Sequence, residues 1–192
     1  MHTIFSAKIP FSTAVLAADV KRDTLQNWAK KTDFLVGEMT PQNSGKSGRE
    51  RTFSFFGVVQ IAVTAAINKH ISSVERAARA SAAISHFGDS SAQWVNDPNP
   101  PNSAERLPGL PFQCGQTFLI VHEDVQQVLN MEISDTMGDL LGQLPHHGES
   151  GPFTIVPFNP IFNRVAVVLG YQPQPLLDEI YAASASNGGG KS

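Results

Sequence analysis

One stretch constrains the fold of this chain more than any other. From Phe55 to about Lys69 the residues Phe55, Phe56, Val58, Val59, Ile61, Ala62, Val63, Ala65, Ala66 and Ile67 leave no polar side wide enough to face water. Ser54 stands directly before them as a good N-cap. A helix apolar on every side belongs at the centre of a fold or in a subunit interface. Gly57, Gln60 and Thr64 interrupt the run, so it falls short of the ~18 apolar residues of a spanning helix, and no membrane segment is expected. The rest of the chain has to supply a shell around this helix.

The residues before it read as short helices. Ser12 or Thr13 can cap a helix to about Ala18, and Asp19-Val20 break it. A second helix, about Lys21–Lys31, carries Leu25, Trp28 and Ala29 as its apolar stripe. Gln42–Arg51 is a polar, glycine-rich hairpin tip, flanked by short strands near Val36–Met39 and Arg51–Phe53. After the central helix a fourth is expected over about Ser72–Phe87, with Val74, Ala77, Ser81 and Ile84 as one stripe.

Asn96–Pro111 holds five prolines, at 98, 100, 101, 108 and 111, which oppose helix and central strand. Residues 91–111 therefore read as an extended linker between a domain over 1–90 and a smaller α+β domain over 112–183. In the latter, Gln116–His122 and Val125–Ile133 form strands around a Glu123-Asp124 turn, and Ser134 caps a helix to about Leu144. Phe153–Phe158 and Arg164–Tyr171 read as two more strands separated by Asn159-Pro160, and Pro175–Ser184 as a closing helix. Residues 184–192 read as a flexible tail.

Net charge is −3, but the halves differ: residues 1–90 carry +4 and residues 91–192 carry −7. Such asymmetry suggests a basic binding module joined to an acidic one. The single cysteine, Cys114, excludes an internal disulfide and any cysteine-rich zinc site; with no secretory leader evident, a reducing cytoplasmic location is the default.

Two short helices around a tight turn, then a hairpin and a helix pair, is the order of a winged helix-turn-helix. The second helix offers Arg22, Gln26, Asn27 and Lys30 opposite its apolar stripe. Base edges call for such groups, arginine for guanine and glutamine or asparagine for adenine. Lys46, Arg49 and Arg51 in the hairpin suit phosphates or an adjacent minor groove.

The run Phe11-Ser12-Thr13, Val20, Thr24-Leu25 and Trp28, followed by Gly48, Arg51, Phe53 and Ser54, resembles the DNA-binding domain of the MerR transcription regulators and the related excisionase-type winged helices over about residues 10–88. Asp19 stands where that family has a turn glycine, Lys21 replaces a capping Ser or Thr, and Gln26 and Asn27 replace a common Arg and Tyr. The resemblance implies a DNA-binding domain in which Arg51 contacts the phosphate backbone. The family's long coiled coil is not carried over, because Gly88 and the prolines after 97 stop any such helix. Candidate DNA contacts are Thr13, Lys21, Arg22, Thr24, Gln26, Asn27, Lys30, Lys46, Arg49 and Arg51.

Catalytic signals are weak. No Walker loop, dinucleotide glycine motif or HExxH occurs. Gly148–Pro152 is only a fragment of a serine-protease nucleophile loop, and Cys114, His122, His146 and His147 match no metal-ligand spacing. The chain is therefore expected to be no enzyme and to need no cofactor. The sequence points to a homodimeric, sequence-specific transcriptional regulator on double-stranded DNA, with a second domain for self-association and for a small-molecule or protein partner. An excisionase-like or other mobile-element architectural factor is the alternative, and a protein-interaction module without DNA binding is the third.

Overall fold

The computed structural model describes residues 2–30, 35, 51–88, 106–122, 125–132, 134–142 and 152–188. The expected strand at Val36–Met39, the hairpin tip with Lys46 and Arg49, and the proposed turn at Glu123-Asp124 lie outside the described residues. Mixed helix and sheet is the observed class, as the α+β reading requires: the described residues form seven α-helices and two small antiparallel sheets.

After a 3-10 turn at Thr3–Ser6, a two-residue strand β1 (Ile9–Pro10) pairs antiparallel with β2 (Thr52–Phe53), in the register Ile9↔Phe53 and Pro10↔Thr52. Helix α1 (Phe11–Ala18) starts two or three residues earlier than expected. Its N-cap is Pro10, not Ser12 or Thr13, because the amide of Phe11 already donates to the Arg51 carbonyl at 2.9 Å. Phe11, Ala14, Ala17 and Ala18 are its buried side. Asp19 ends it at φ 53°, ψ 48°, in the left-handed region. The Asp19 and Val20 amides donate back to Leu16 and Val15, a Schellman closure at a position that glycine usually fills. Helix α2 (Arg22–Trp28) follows after a short turn.

Helix α3 (Phe55–Ile67) is the centre of the fold. The Ser54 hydroxyl accepts from the Gly57 amide at 3.0 Å, and every α3 residue but Phe56 and Ala66 is buried. Its apolar circumference is covered within one chain, which removes it as a dimer surface. Helix α4 (Val74–Ser85) lies against it through small residues, Ala77, Ala78, Ser81 and Ser85. Polar atoms caught between the two helices are paired: Gln60 Nε2 donates to the Ala78 carbonyl at 3.0 Å, and the Thr64 and Ser81 hydroxyls are 2.8 Å apart.

Strands β3 (Gly115–His122) and β4 (Val125–Glu132) form the expected hairpin, and β5 (Thr154–Pro157) pairs on the other side of β3. Helix α5 (Met137–Gly142) is capped by Thr136, whose hydroxyl accepts from the Asp139 amide at 3.3 Å, and not by Ser134. The strand expected at Arg164–Tyr171 is instead helical, α6 (Phe158–Val168). Pro160 sits in the first helical turn, where the missing N–H costs nothing. The buried set Phe158, Ile161, Phe162, Val165 and Ala166 has helical spacing, and tertiary packing along it overrides the strand preference of the valines. Helix α7 (Pro173–Gly188) runs through the first part of the stretch expected to be a flexible tail.

Leu119, Val121 and Val156 on one face of the sheet join a single core cluster with α1, α3, α4, α6 and α7. Ile120, Leu129, Met131 and Leu140 form a smaller cluster on the other face. The halves thus share a core instead of hanging on a spacer. Residues 89–105 are not described, but 106–111, expected as linker, are packed. Leu110 is buried, Gly109 donates to the Ile84 carbonyl at 3.0 Å, and a β-carbon on Gly109, whose φ is +72°, would press on the rings of Phe55 and Phe56. Arg106 points inward at 2% exposure, and the Tyr181 hydroxyl of α7 donates to the Pro111 carbonyl at 2.9 Å while accepting from the Leu107 amide at 3.2 Å. Prolines bar regular structure here, but they do not bar burial once the side chains of Arg106 and of Tyr181 on α7 satisfy the Leu107, Leu110 and Pro111 carbonyls.

Candidate nucleic-acid interface

Helix α2 has a clean division. Leu25 and Trp28 are buried, Thr24 is half-buried, and Lys21, Arg22, Asp23, Gln26 and Asn27 are exposed; Lys30, just past the helix, is exposed too. The buried pair fixes the rotation of the helix, so the polar residues face outward by necessity. Arg22 and Gln26 stand one turn apart on the same side. No ion pair joins Lys21, Arg22 or Lys30 to a carboxylate among the described residues.

Arg22 has a particular setting. Its guanidinium carbon lies 5.5 Å from the centroid of the Phe11 ring. Phe11 is itself buried and tilted against Phe53, with ring centroids 6.0 Å apart. Sequence reasoning uses Phe11 only in the Phe11-Ser12-Thr13 run of the family resemblance; a cation over its ring has no linear signature, because the two residues belong to different helices.

Arg51 is half-buried and its Nη1 donates to the Ala29 carbonyl at 3.0 Å, closing the C-terminus of α2. Its other guanidinium nitrogens have no hydrogen-bond partner among the described residues. Thr13 is half-buried in the first turn of α1. Of the ten candidate contacts, the structure gathers Lys21, Arg22, Thr24, Gln26, Asn27, Lys30 and Arg51 around α2, while Lys46 and Arg49 lie outside the described residues.

The thiol and imidazole weighed as metal ligands do not meet. Cys114 is exposed just before β3, and His122 is buried at the far end of that strand, stacked on Phe153 at 4.5 Å. His146 and His147 lie outside the described residues. Among the described residues no group of three potential ligands could hold a metal ion, and no helix is long and apolar enough to cross a membrane. Comparison with protein-family models, with curated proteins and with solved structures returned no match.

Proposed function

We propose that this chain is a sequence-specific DNA-binding transcriptional regulator of the cytoplasm, acting as a homodimer, with α2 entering the major groove of double-stranded DNA as the recognition helix of a MerR-like winged helix-turn-helix. The observation that supports this most is the outer face of α2, where Lys21, Arg22, Gln26, Asn27 and Lys30 are presented together while Leu25 and Trp28 anchor the helix from behind. Cations for phosphates and amide or guanidinium forks for base edges are what groove binding requires. The three-residue turn before α2, closed by Asp19, is the length a helix-turn-helix uses. One such module offers few phosphate contacts, and two copies on spaced half-sites raise affinity through effective concentration.

Selection of bound sequences from a random DNA pool, followed by a salt titration on the enriched site, tests this reading. Inverted half-sites with a steep salt dependence are the expected result. Direct repeats with strong bending would move the protein to the excisionase-like, architectural class. No enrichment and no salt-dependent affinity would refute DNA binding and leave a protein-interaction module, a reading favoured only by the inward hydrogen bond of Arg51.

A further inference from the structure

Resting on the DNA-binding reading, we propose that Arg22, steadied by the ring of Phe11, reads a guanine in the major groove, and that Gln26 reads an adenine about two base-pair steps away. A cation within about 6 Å of a ring centroid is attracted by the ring's negative face. Arg22 lies inside that range at 5.5 Å. A cation–π contact with the ring occupies no hydrogen-bond donor, so the N–H groups of the guanidinium fork stay available for a bidentate partner. The platform is rigid: Phe11 is 6% exposed, its amide is held by the Arg51 carbonyl at 2.9 Å, and its ring rests on Phe53. A long exposed side chain is thus restricted before DNA arrives, and less rotamer entropy remains to be lost on binding. Phe11 is the positioning residue and Arg22 the reader.

Spacing sets the rest. Gln26 is four residues beyond Arg22 on the exposed side of α2. Four residues rise about 6 Å along a helix, and base pairs rise about 3.4 Å, so side chains of similar reach fall roughly two steps apart. A glutamine amide matches the N6 and N7 edge of adenine as an arginine fork matches O6 and N7 of guanine.

The test is sequence selection with the full chain, run for the natural protein, Arg22→Ala, Gln26→Ala, Phe11→Leu and Phe11→Tyr. The natural motif should contain a guanine and an adenine within about two steps. Arg22→Ala should erase the guanine preference alone, and Gln26→Ala the adenine preference alone. Phe11→Leu should reduce discrimination at the guanine about two- to fivefold without changing the salt slope, and Phe11→Tyr should restore it. In the Arg22→Ala background, Phe11→Leu should have no further effect on base preference. Arg22 side-chain proton resonances shifted upfield by the ring in the natural protein give a second readout that does not depend on the leucine variant folding. An enriched motif whose guanine preference is indifferent to Phe11→Leu, or unshifted Arg22 resonances, would overturn the positioning role. A uniform loss across all sequences in Arg22→Ala would make Arg22 a phosphate contact instead. No enrichment at all in the natural protein would sink the DNA-binding reading itself, a distinct failure.

Discussion

Arg106 is the side chain whose removal should cost this fold most. It is 2% exposed, a charged side chain held inside the fold. Its Nη1 donates to the carbonyls of Ile84 at 2.9 Å, Leu107 at 3.3 Å and Leu110 at 3.3 Å, and its Nη2 to those of Phe87 at 2.6 Å and Ala83 at 3.4 Å. Ala83, Ile84 and Phe87 belong to the last turn and exit of α4, where carbonyls lack partners within the helix and the dipole is negative. A charged donor contributes ~1.5–3 kcal/mol per hydrogen bond. Counting the two short bonds, and discounting the one to Phe87 because its residue is exposed to water, gives about 3–4 kcal/mol for Arg106→Ala. In a chain of this size that lowers Tm by about 10 °C. Arg106→Met keeps most of the aliphatic bulk and no donors, so it should fall close to alanine; Arg106→Lys should fall between. Urea denaturation followed by circular dichroism measures all three. A methionine variant within about 1 kcal/mol of the natural protein would refute the argument, because packing would then explain the site without its hydrogen bonds.

Burial pushes the Tyr181 hydroxyl up to about 12 from 10.0, against the lowering effects of the Leu107 hydrogen bond and of Arg106. A raised folded-state value means the associated stability is whole below pH 10 and falls as pH rises toward 12, by roughly 2–3 kcal/mol; urea midpoints across that window should show the fall, and Tyr181→Phe should abolish it. Asp19→Gly should stabilise by about 0.5–1 kcal/mol, since it removes the left-handed strain of a residue at φ 53°, and an unchanged or lower Tm would count against that cost. Gly115→Ala should destabilise by about 1–3 kcal/mol, because a β-carbon there meets the Met131 carbonyl oxygen across the hairpin; amide exchange should rise first at the Gly115↔Glu132 end of β3 and β4. Arg51→Ala should cost about 1–2 kcal/mol of stability through the lost Ala29 bond and also lower the salt slope of DNA binding by about one, so an unchanged slope would leave Arg51 a purely structural residue.

Residues that act locally were readable in the chain. Ser54 caps α3, Leu25 and Trp28 anchor α2, and the apolar runs on either side of Glu123-Asp124 give a hairpin, because capping and short apolar patterns depend only on near neighbours. The failures are nonlocal. Val165, Val167 and Val168 carry strand preference, and only the packing of Ile161, Phe162 and Val165 into the shared core decides for helix. The prolines around 106–111 speak of a spacer until α7 brings Tyr181 across to them. At the candidate site, the outward face of α2 was legible from its inward face, whereas the ring under Arg22 and the carbonyl under Arg51 join residues 11 and 22 positions apart in the chain.

The arginines of this chain show why a charge count alone overstates a nucleic-acid surface. Helices α1, α2 and α4 have no basic residue in their last turns. Each receives one from elsewhere: Arg164 Nε of α6 donates to the Ala17 carbonyl at 3.0 Å, Arg51 Nη1 to that of Ala29, and Arg106 to the end of α4. Short helices gain little from propensity, so outside cations at their C-termini help to hold them in place. Arg106 and Arg164 come from the acidic half and close helices of the basic half, which ties the two halves together by the same bonds that finish the helices. Two of the three positive charges in residues 91–192 are turned inward on this work, so the acidity of that half is less relieved at its surface than its net charge implies. In the basic half Arg51 is partly engaged in the same way, and with Arg22 proposed as a base reader the described cations left to meet a phosphate beside α2 are chiefly Lys21 and Lys30. If α2 is the DNA-reading surface proposed above, an interface with so few cations relies on the orientation of its side chains more than on net charge, which makes the ring of Phe11 beneath Arg22 matter.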